Sequence, residues 1–369
     1  MSFPTEVFKN SIDFIFSDYY NQWKPILIQL LIDSRNPSVY QCPNKCLNLQ
    51  LHVLEYLSHI EQEIENQKNT NSDYSNIKVV SLQRIRRIIK DIIDGLVWRI
   101  LDFNRPLISA LSYNNSPGHL KNLTSNEEKA AIKLVNSGYY VIINDLSNYL
   151  RIGDLTCFDS QGNLEIREVK KKGQKILGIN DYHNKVIHGG TLSKQSQKLI
   201  EANNIIKTNN ILMGNEITPI IPLDIKLQSY IPIVSEIVKN CQNQGEISRF
   251  IDDVLYVKVI NVNLLKNEIS NPLQNKENWF YQYGIFYLYY PKGEINRHKV
   301  PFSAFPFNND FVLQLITGEL LIDTAINTLK LKRLFEKQGW DVKYNNNFIL
   351  EANEYVKLNS NPLFRNANI

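Results

Sequence analysis

Asp154, Glu168 and Lys170 are the residues whose types and spacing best suit chemistry on a charged substrate. Along a β-strand, alternate side chains share a face, so Ile152, Asp154, Thr156 and Phe158 fall on one side of a first strand. Leu164, Ile166, Glu168 and Lys170 do the same on the next. If Phe158 lies opposite Leu164, the loop is residues 159–163, a common hairpin length. Thr156 then faces Ile166, and Asp154 faces Glu168, roughly 5 Å away at Cβ. Carboxylates that close repel unless a cation sits between them. Oxygen ligands of this kind suit Mg2+, with Mn2+ as its substitute. The pairing depends on register, since a slip of one residue sends the two groups to opposite faces. Lys170 shares the face of Glu168, where an ammonium can hold a water or phosphate and stabilise developing charge. A divalent ion acidifies water and polarises phosphate. Together these are the parts that phosphodiester hydrolysis requires.

The elements around the hairpin can deliver two more groups. Thr124–Ser137 reads as a helix, and both Thr124/Glu127 and Ser125/Glu128 match a capping box. With Ser125 as the cap, Glu127 heads the apolar stripe through Ala131 and Leu134 and can point inward. A second helix is expected over Thr191–Lys207. There Gln195 heads the stripe Leu199, Ala202 and Ile206, and its amide can orient a phosphate oxygen or a water. Between the helices come strands at Tyr139–Ile143, Tyr149–Phe158 and Leu164–Lys170, giving the order helix, three strands, helix. Plainer readings exist for each group. A Glu-Val-Lys run is usually a solvated strand edge, but Leu164, Ile166 and Val169 mark this strand as buried, where unpaired charge is costly. Glu127 could serve only the helix macrodipole, and Gln195 could be an exposed polar residue.

Glu127 followed by Gly138, Gly-Asp at 153–154, Glu-Val-Lys at 168–170 and Gln-x-x-Lys-Leu at 195–199 resembles the PD-(D/E)XK nuclease superfamily. The likeness is greatest to its Holliday-junction-resolvase and Mrr-like restriction branches, and covers residues 119–212. It implies a restriction-endonuclease-like α/β core, a mixed sheet flanked by helices. It also implies that Asp154 and Glu168 bind the metal with the Val169 carbonyl, that Lys170 is catalytic, and that Glu127 and Gln195 are accessory. The family often has proline before the first aspartate, where this chain has Gly153.

The rest of the chain sets the context. Its 369 residues exceed one ordinary domain. The expected division is a helical region over 1–118, the nuclease core over 119–212 and an α+β region over 213–369. Leu47–Gln67 and Val80–Phe103 carry helical stripes, the first with Leu51, Leu54, Leu57 and Ile60. Further on, the pattern predicts helices at Ile231–Asn240 and Ile322–Gln338, and strands at Val254–Val262, Trp279–Tyr290 and Trp340–Tyr344. A formal net charge of +4 does not by itself identify a nucleic-acid partner. Locally, Arg167, Lys170, Lys171, Lys172 and Lys175 outnumber Glu165 and Glu168, a patch apt for phosphates. The aromatic run Trp279–Tyr290 suits a buried strand better than base stacking. Cys42 and Cys46 lack a second metal-ligating pair and read as structural or free thiols. With no signal peptide or apolar run long enough to span a membrane, a cytoplasmic protein is expected. Its partner is expected to be nucleic acid, DNA before RNA, with a protein partner or second copy engaging the flanking regions. The alternative is a non-catalytic nucleic-acid-binding or scaffold protein that retains the nuclease fold.

Overall fold

The computed structural model describes residues 14–68, 73–112, 125–150, 152–170, 175–177, 210–213, 216–219, 231–264, 279–283, 300–337, 340–344, 350–356 and 363–368. Helices come first: α1 (Asp18–Arg35), α2 (Pro37–Tyr40), α3 (Pro43–Lys68), α4 (Asp73–Ile100), α5 (Arg105–Ser112) and α6 (Ser125–Asn136). Strands β1 (Tyr140–Ile143), β2 (Leu155–Phe158), β3 (Leu164–Lys170), β4 (Lys175–Leu177), β5 (Asn210–Met213) and β6 (Glu216–Pro219) follow. Then come α7 (Ile231–Cys241), β7 (Glu246–Ile251), β8 (Leu255–Asn261), β9 (Trp279–Tyr283), α8 (Asn309–Thr317), β10 (Leu320–Asn327) and α9 (Thr328–Lys337). The chain ends with β11 (Trp340–Tyr344), β12 (Leu350–Val356) and β13 (Leu363–Asn368). Contacts divide these elements into two compact units. Residues 13–228 and 290–317 form one, and residues 1–12, 229–289 and 318–369 the other. Among the described residues, no helix is long and apolar enough to cross a membrane.

In the first unit the long helices bury their stripes as the periodicity predicts. Ile85, Ile88, Ile89, Ile92 and Ile93 of α4 are all buried. The buried stripe of α3 runs Cys46, Gln50, Val53, Leu57, Ile60 and Ile64, so Leu51 and Leu54 lie only at its margin. A glutamine occupies that stripe because β1 has an uncovered edge. Gln50 Nε2 donates to the Val141 carbonyl at 2.9 Å, and Ile143 N–H donates to Gln50 Oε1 at 2.8 Å. The side-chain amide thus does the work of a neighbouring strand.

The sheet is an antiparallel meander, ordered β1-β2-β3-β4, and α6 packs on β1 and β3. The expected register holds: Phe158 pairs with Leu164 and Thr156 with Ile166. Two features differ from the sequence reading. The strand expected over Tyr149–Phe158 is confined to Leu155–Phe158, because Asn144–Leu146 form a 3-10 turn and residues 147–150 and 152–154 lie outside any strand. The sheets are antiparallel throughout the described residues, not mixed, and β5 pairs with β6 in a separate ribbon. The expected helix at Thr191–Lys207 lies outside the described residues.

The second unit carries a four-stranded antiparallel sheet, β7-β8-β10-β9, and a three-stranded one, β11-β12-β13. The helix expected over Ile322–Gln338 is instead β10 followed by α9. Ile322, Ala325, Ile326 and Leu329 mimic helical spacing, but pairing with both β8 and β9 fixes residues 320–327 as a central strand.

Candidate active site

The site is built where β3 outruns β2. The ladder between them ends at Leu155 and Arg167, one pair short of Asp154 and Glu168, while β3 continues to Lys170 against β4. Asp154 finishes the pairing in another way. Its N–H donates to the Arg167 carbonyl at 2.9 Å, and its Oδ2 accepts from the Val169 N–H at 2.6 Å. The carboxylate therefore lies against the backbone between Glu168 and Lys170. In an antiparallel strand, the N–H and C=O of one residue leave on the same side. The Val169 carbonyl accordingly faces the side on which Asp154 sits. Glu168 is 4% exposed and Asp154 half-buried, so both acids are partly withdrawn from water.

Gly153, just before Asp154, stands where proline could not. Its φ is +69°, in the left-handed region, whereas proline is held near −65°. Glycine enters that region without penalty.

The other sequence candidates fall as follows. Glu127 is half-buried in the first turn of α6. The described part of the helix begins at Ser125. Among the described residues, no three His, Cys, Asp or Glu side chains gather as a metal-binding group, so Glu127 does not join Asp154 and Glu168 in one. Lys170 closes β3, paired with Lys175; its side chain lies outside the described residues. Gln195 also lies outside them. Arg167, counted in the basic patch, is committed locally: Nη2 meets Glu165 Oε2 at 2.8 Å, and the guanidinium lies 4.5 Å from the Tyr139 ring centre. Burial pushes the Cys46 and Cys157 thiols up to about 11 and about 12, which leaves neither as a thiolate nucleophile near neutral pH.

Two groups that the sequence reading passed over hold the loop before Asp154. Asn144 grips residues 152–156, and Asp94 of α4 grips the stretch before them. Asp94 Oδ1 accepts from Ser147 Oγ at 2.6 Å and Asn148 N at 2.7 Å, and Oδ2 accepts from Asn148 Nδ2 at 2.7 Å. One turn earlier, Lys90 Nζ donates to the Asp145 carbonyl at 3.0 Å. Burial pushes the Asp94 carboxyl up to about 6. Burial and then the charge of Asp94 push Asp91, also on α4, up to about 7. Only the polarity of Asn144 and Asp94 inside apolar stretches could have signalled them.

A scan against protein-family models and searches of curated proteins and solved structures returned no match. The oxygen donors at hand, two carboxylates and a backbone carbonyl, are the hard ligands that Mg2+ or Mn2+ takes alongside water.

Proposed function

We propose that this chain is a metal-dependent nuclease with a PD-(D/E)XK core, a DNA endonuclease of a restriction, defence or mobile-element system. The observation that carries the reading is the seat of the Asp154 carboxylate on the Val169 N–H, beside Glu168. Asp154, Glu168 and the Val169 carbonyl would hold Mg2+ or Mn2+, which when bound supplies Lewis-acid polarisation of a phosphate oxygen. Burial of Glu168 keeps competing water away from its carboxylate. Lys170, two residues on in the same strand, stabilises charge that develops on the phosphate. Glu127 and Gln195 are accessory groups on the flanking helices. Substrate is held through its backbone phosphates by many residues.

A second reading draws on the same bond. A non-catalytic nucleic-acid-binding or scaffold protein would keep Asp154 simply to satisfy the Val169 N–H at the end of the β2 ladder. Labelled duplex DNA and RNA, incubated with the protein in Mg2+, Mn2+, Ca2+ or EDTA, separate the two. The nuclease cleaves DNA in Mg2+ and Mn2+, and EDTA stops it. Binding without cleavage in any metal supports the scaffold, and undiminished cleavage in EDTA rules out the metal mechanism.

A further inference from the structure

Asn144 stands at the end of β1, is fully buried, and has its hydrogen-bonding groups committed to the segment that carries Asp154. Its backbone N–H donates to the Asp154 carbonyl at 3.0 Å. Its Nδ2 donates to the Ile152 carbonyl at 2.8 Å and to the Gly153 carbonyl at 3.2 Å. Its Oδ1 accepts from Thr156 Oγ1 at 2.8 Å, and its carbonyl accepts from Ser147 N–H at 3.0 Å. The side chain must supply two donors and an acceptor in one plane, which an amide does and a carboxylate or an aliphatic group does not. Thr156, also fully buried, fixes which way the amide faces. The loop before this grip is held to α4 by Asp94 and Lys90. The backbone on both sides of Asp154 is therefore fixed, and Gly153 takes its positive φ inside the Asn144 grip.

We propose that Asn144 is a positioning residue. By holding residues 152–156, it keeps Asp154 Oδ2 on the Val169 N–H and so sets the spacing of the site's oxygen donors. The kinetic part of this inference rests on the nuclease reading; the geometric part does not. Outer groups that orient a metal's ligands typically change metal affinity 10- to 100-fold when removed, about that order being expected here.

The test uses the full chain labelled with 15N-valine, as wild type, Asn144→Ser and Thr156→Val. Amide exchange is read at Val169 and, as a control, at Val97, buried in α4 of the same unit. Asn144→Ser should speed Val169 exchange about tenfold or more while Val97 stays protected, and Thr156→Val should do so to a smaller degree. Unchanged protection of Val169 would overturn the inference. So would equal acceleration at Val97, which would make Asn144 an ordinary core residue. If Asn144→Ser does not fold, Thr156→Val, which keeps the volume and removes only the hydroxyl, decides by the same readings. In cleavage assays, the half-saturating Mg2+ concentration should rise about tenfold with the KM for DNA unchanged; an unchanged Mg2+ requirement would overturn the kinetic part. A wild type silent in every metal sinks the nuclease reading alone, and the amide exchange still decides for Asn144.

Discussion

The two four-stranded sheets each bury a charged side chain, and they surround it differently. In the second unit, Lys258 of β8 is 3% exposed, and its Nζ lies 3.2 Å from Glu246 Oε1 on β7. That pair is a cross-strand diagonal of opposite sign, which gives the charge its own partner. In the first unit, Glu168 is 4% exposed on β3, one residue before Val169, whose N–H donates to Asp154 Oδ2. On the nuclease reading, Glu168 shares a divalent cation with Asp154, whereas Lys258 is matched by an acid of the protein itself. Burial of charge thus marks structure in one sheet and, on the reading proposed, chemistry in the other.

Substitutions that invert stability and activity break this comparison most sharply. Asp154→Ala and Glu168→Gln should each lower DNA cleavage on the order of a hundredfold or more, the scale of losing a preorganised charge-stabilising group. Glu168→Gln keeps the size of the side chain and should keep its denaturation midpoint in EDTA, whereas Asp154→Ala should lose about 1–3 kcal/mol because the Val169 N–H loses its acceptor. A variant whose folded fraction cleaves normally would reassign that carboxylate to structure.

Glu246→Ala should behave in the opposite way. It removes the carboxylate that buried Lys258 faces, and breaking such a pair costs about 3 kcal/mol, the low end for buried pairs because Glu246 is partly exposed. Cleavage by the folded fraction should not change. Urea titration with a parallel rate assay checks both, and a stability loss below about 0.5 kcal/mol would place the pair among surface bridges.

The contrast between the sheets was half legible in the sequence. Alternation and a five-residue loop were enough to set the hairpin register, because a slip would expose Ile166 and Leu164. The stripe of α4 and the limits of β3 could likewise be read from periodicity. Residues 149–154 could not, since their loop is imposed by Asn144 and Asp94, partners ten and fifty or so positions away, roughly counted along the chain. The Asp154 bond to Val169 was invisible for the same reason: it exists only because β2 stops a pair short. Gln50 breaks an apolar stripe for the sake of a strand edge some ninety residues on. β10 was misread because pairing on both sides outweighs a helix-like spacing.

A pair of acids in the helical layer offers an intermediate effect. Asp91 and Asp94 are buried on α4, and their carboxyls are pushed up to about 7 and about 6 by burial, with the charge of Asp94 adding to the shift at Asp91. Burial is the main cause at both, and the charge of Lys90 partly offsets it at Asp94. Both folded values lie above the ordinary carboxylate value of 3.8, so the folded chain holds protons that the unfolded chain releases. Their contribution to stability is fully present below about pH 4 and is lost as pH rises through 6 and 7. The urea midpoint of wild type should fall between pH 5 and pH 8, and Asp91→Asn should flatten that slope. A slope equal in wild type and variant would remove Asp91 from the effect.

The smallest expected effect sharpens the comparison from the other end. Lys258→Met replaces the buried ammonium with an apolar chain of similar length among Tyr256 and Ile260 of the same strand, both fully buried. The desolvation cost of the lysine disappears along with its attraction to Glu246. Exchanging a buried ion for a well-packed apolar group is often neutral or mildly stabilising, and Glu246 retains contact with water. The midpoint should therefore move by less than about 1 kcal/mol in either direction, and cleavage should be unaffected. Glu168→Met, the matching exchange in the first sheet, should also fold and should be inactive. If Lys258→Met abolished cleavage while folding normally, buried charge would mark chemistry in both sheets, and the distinction between them would fail.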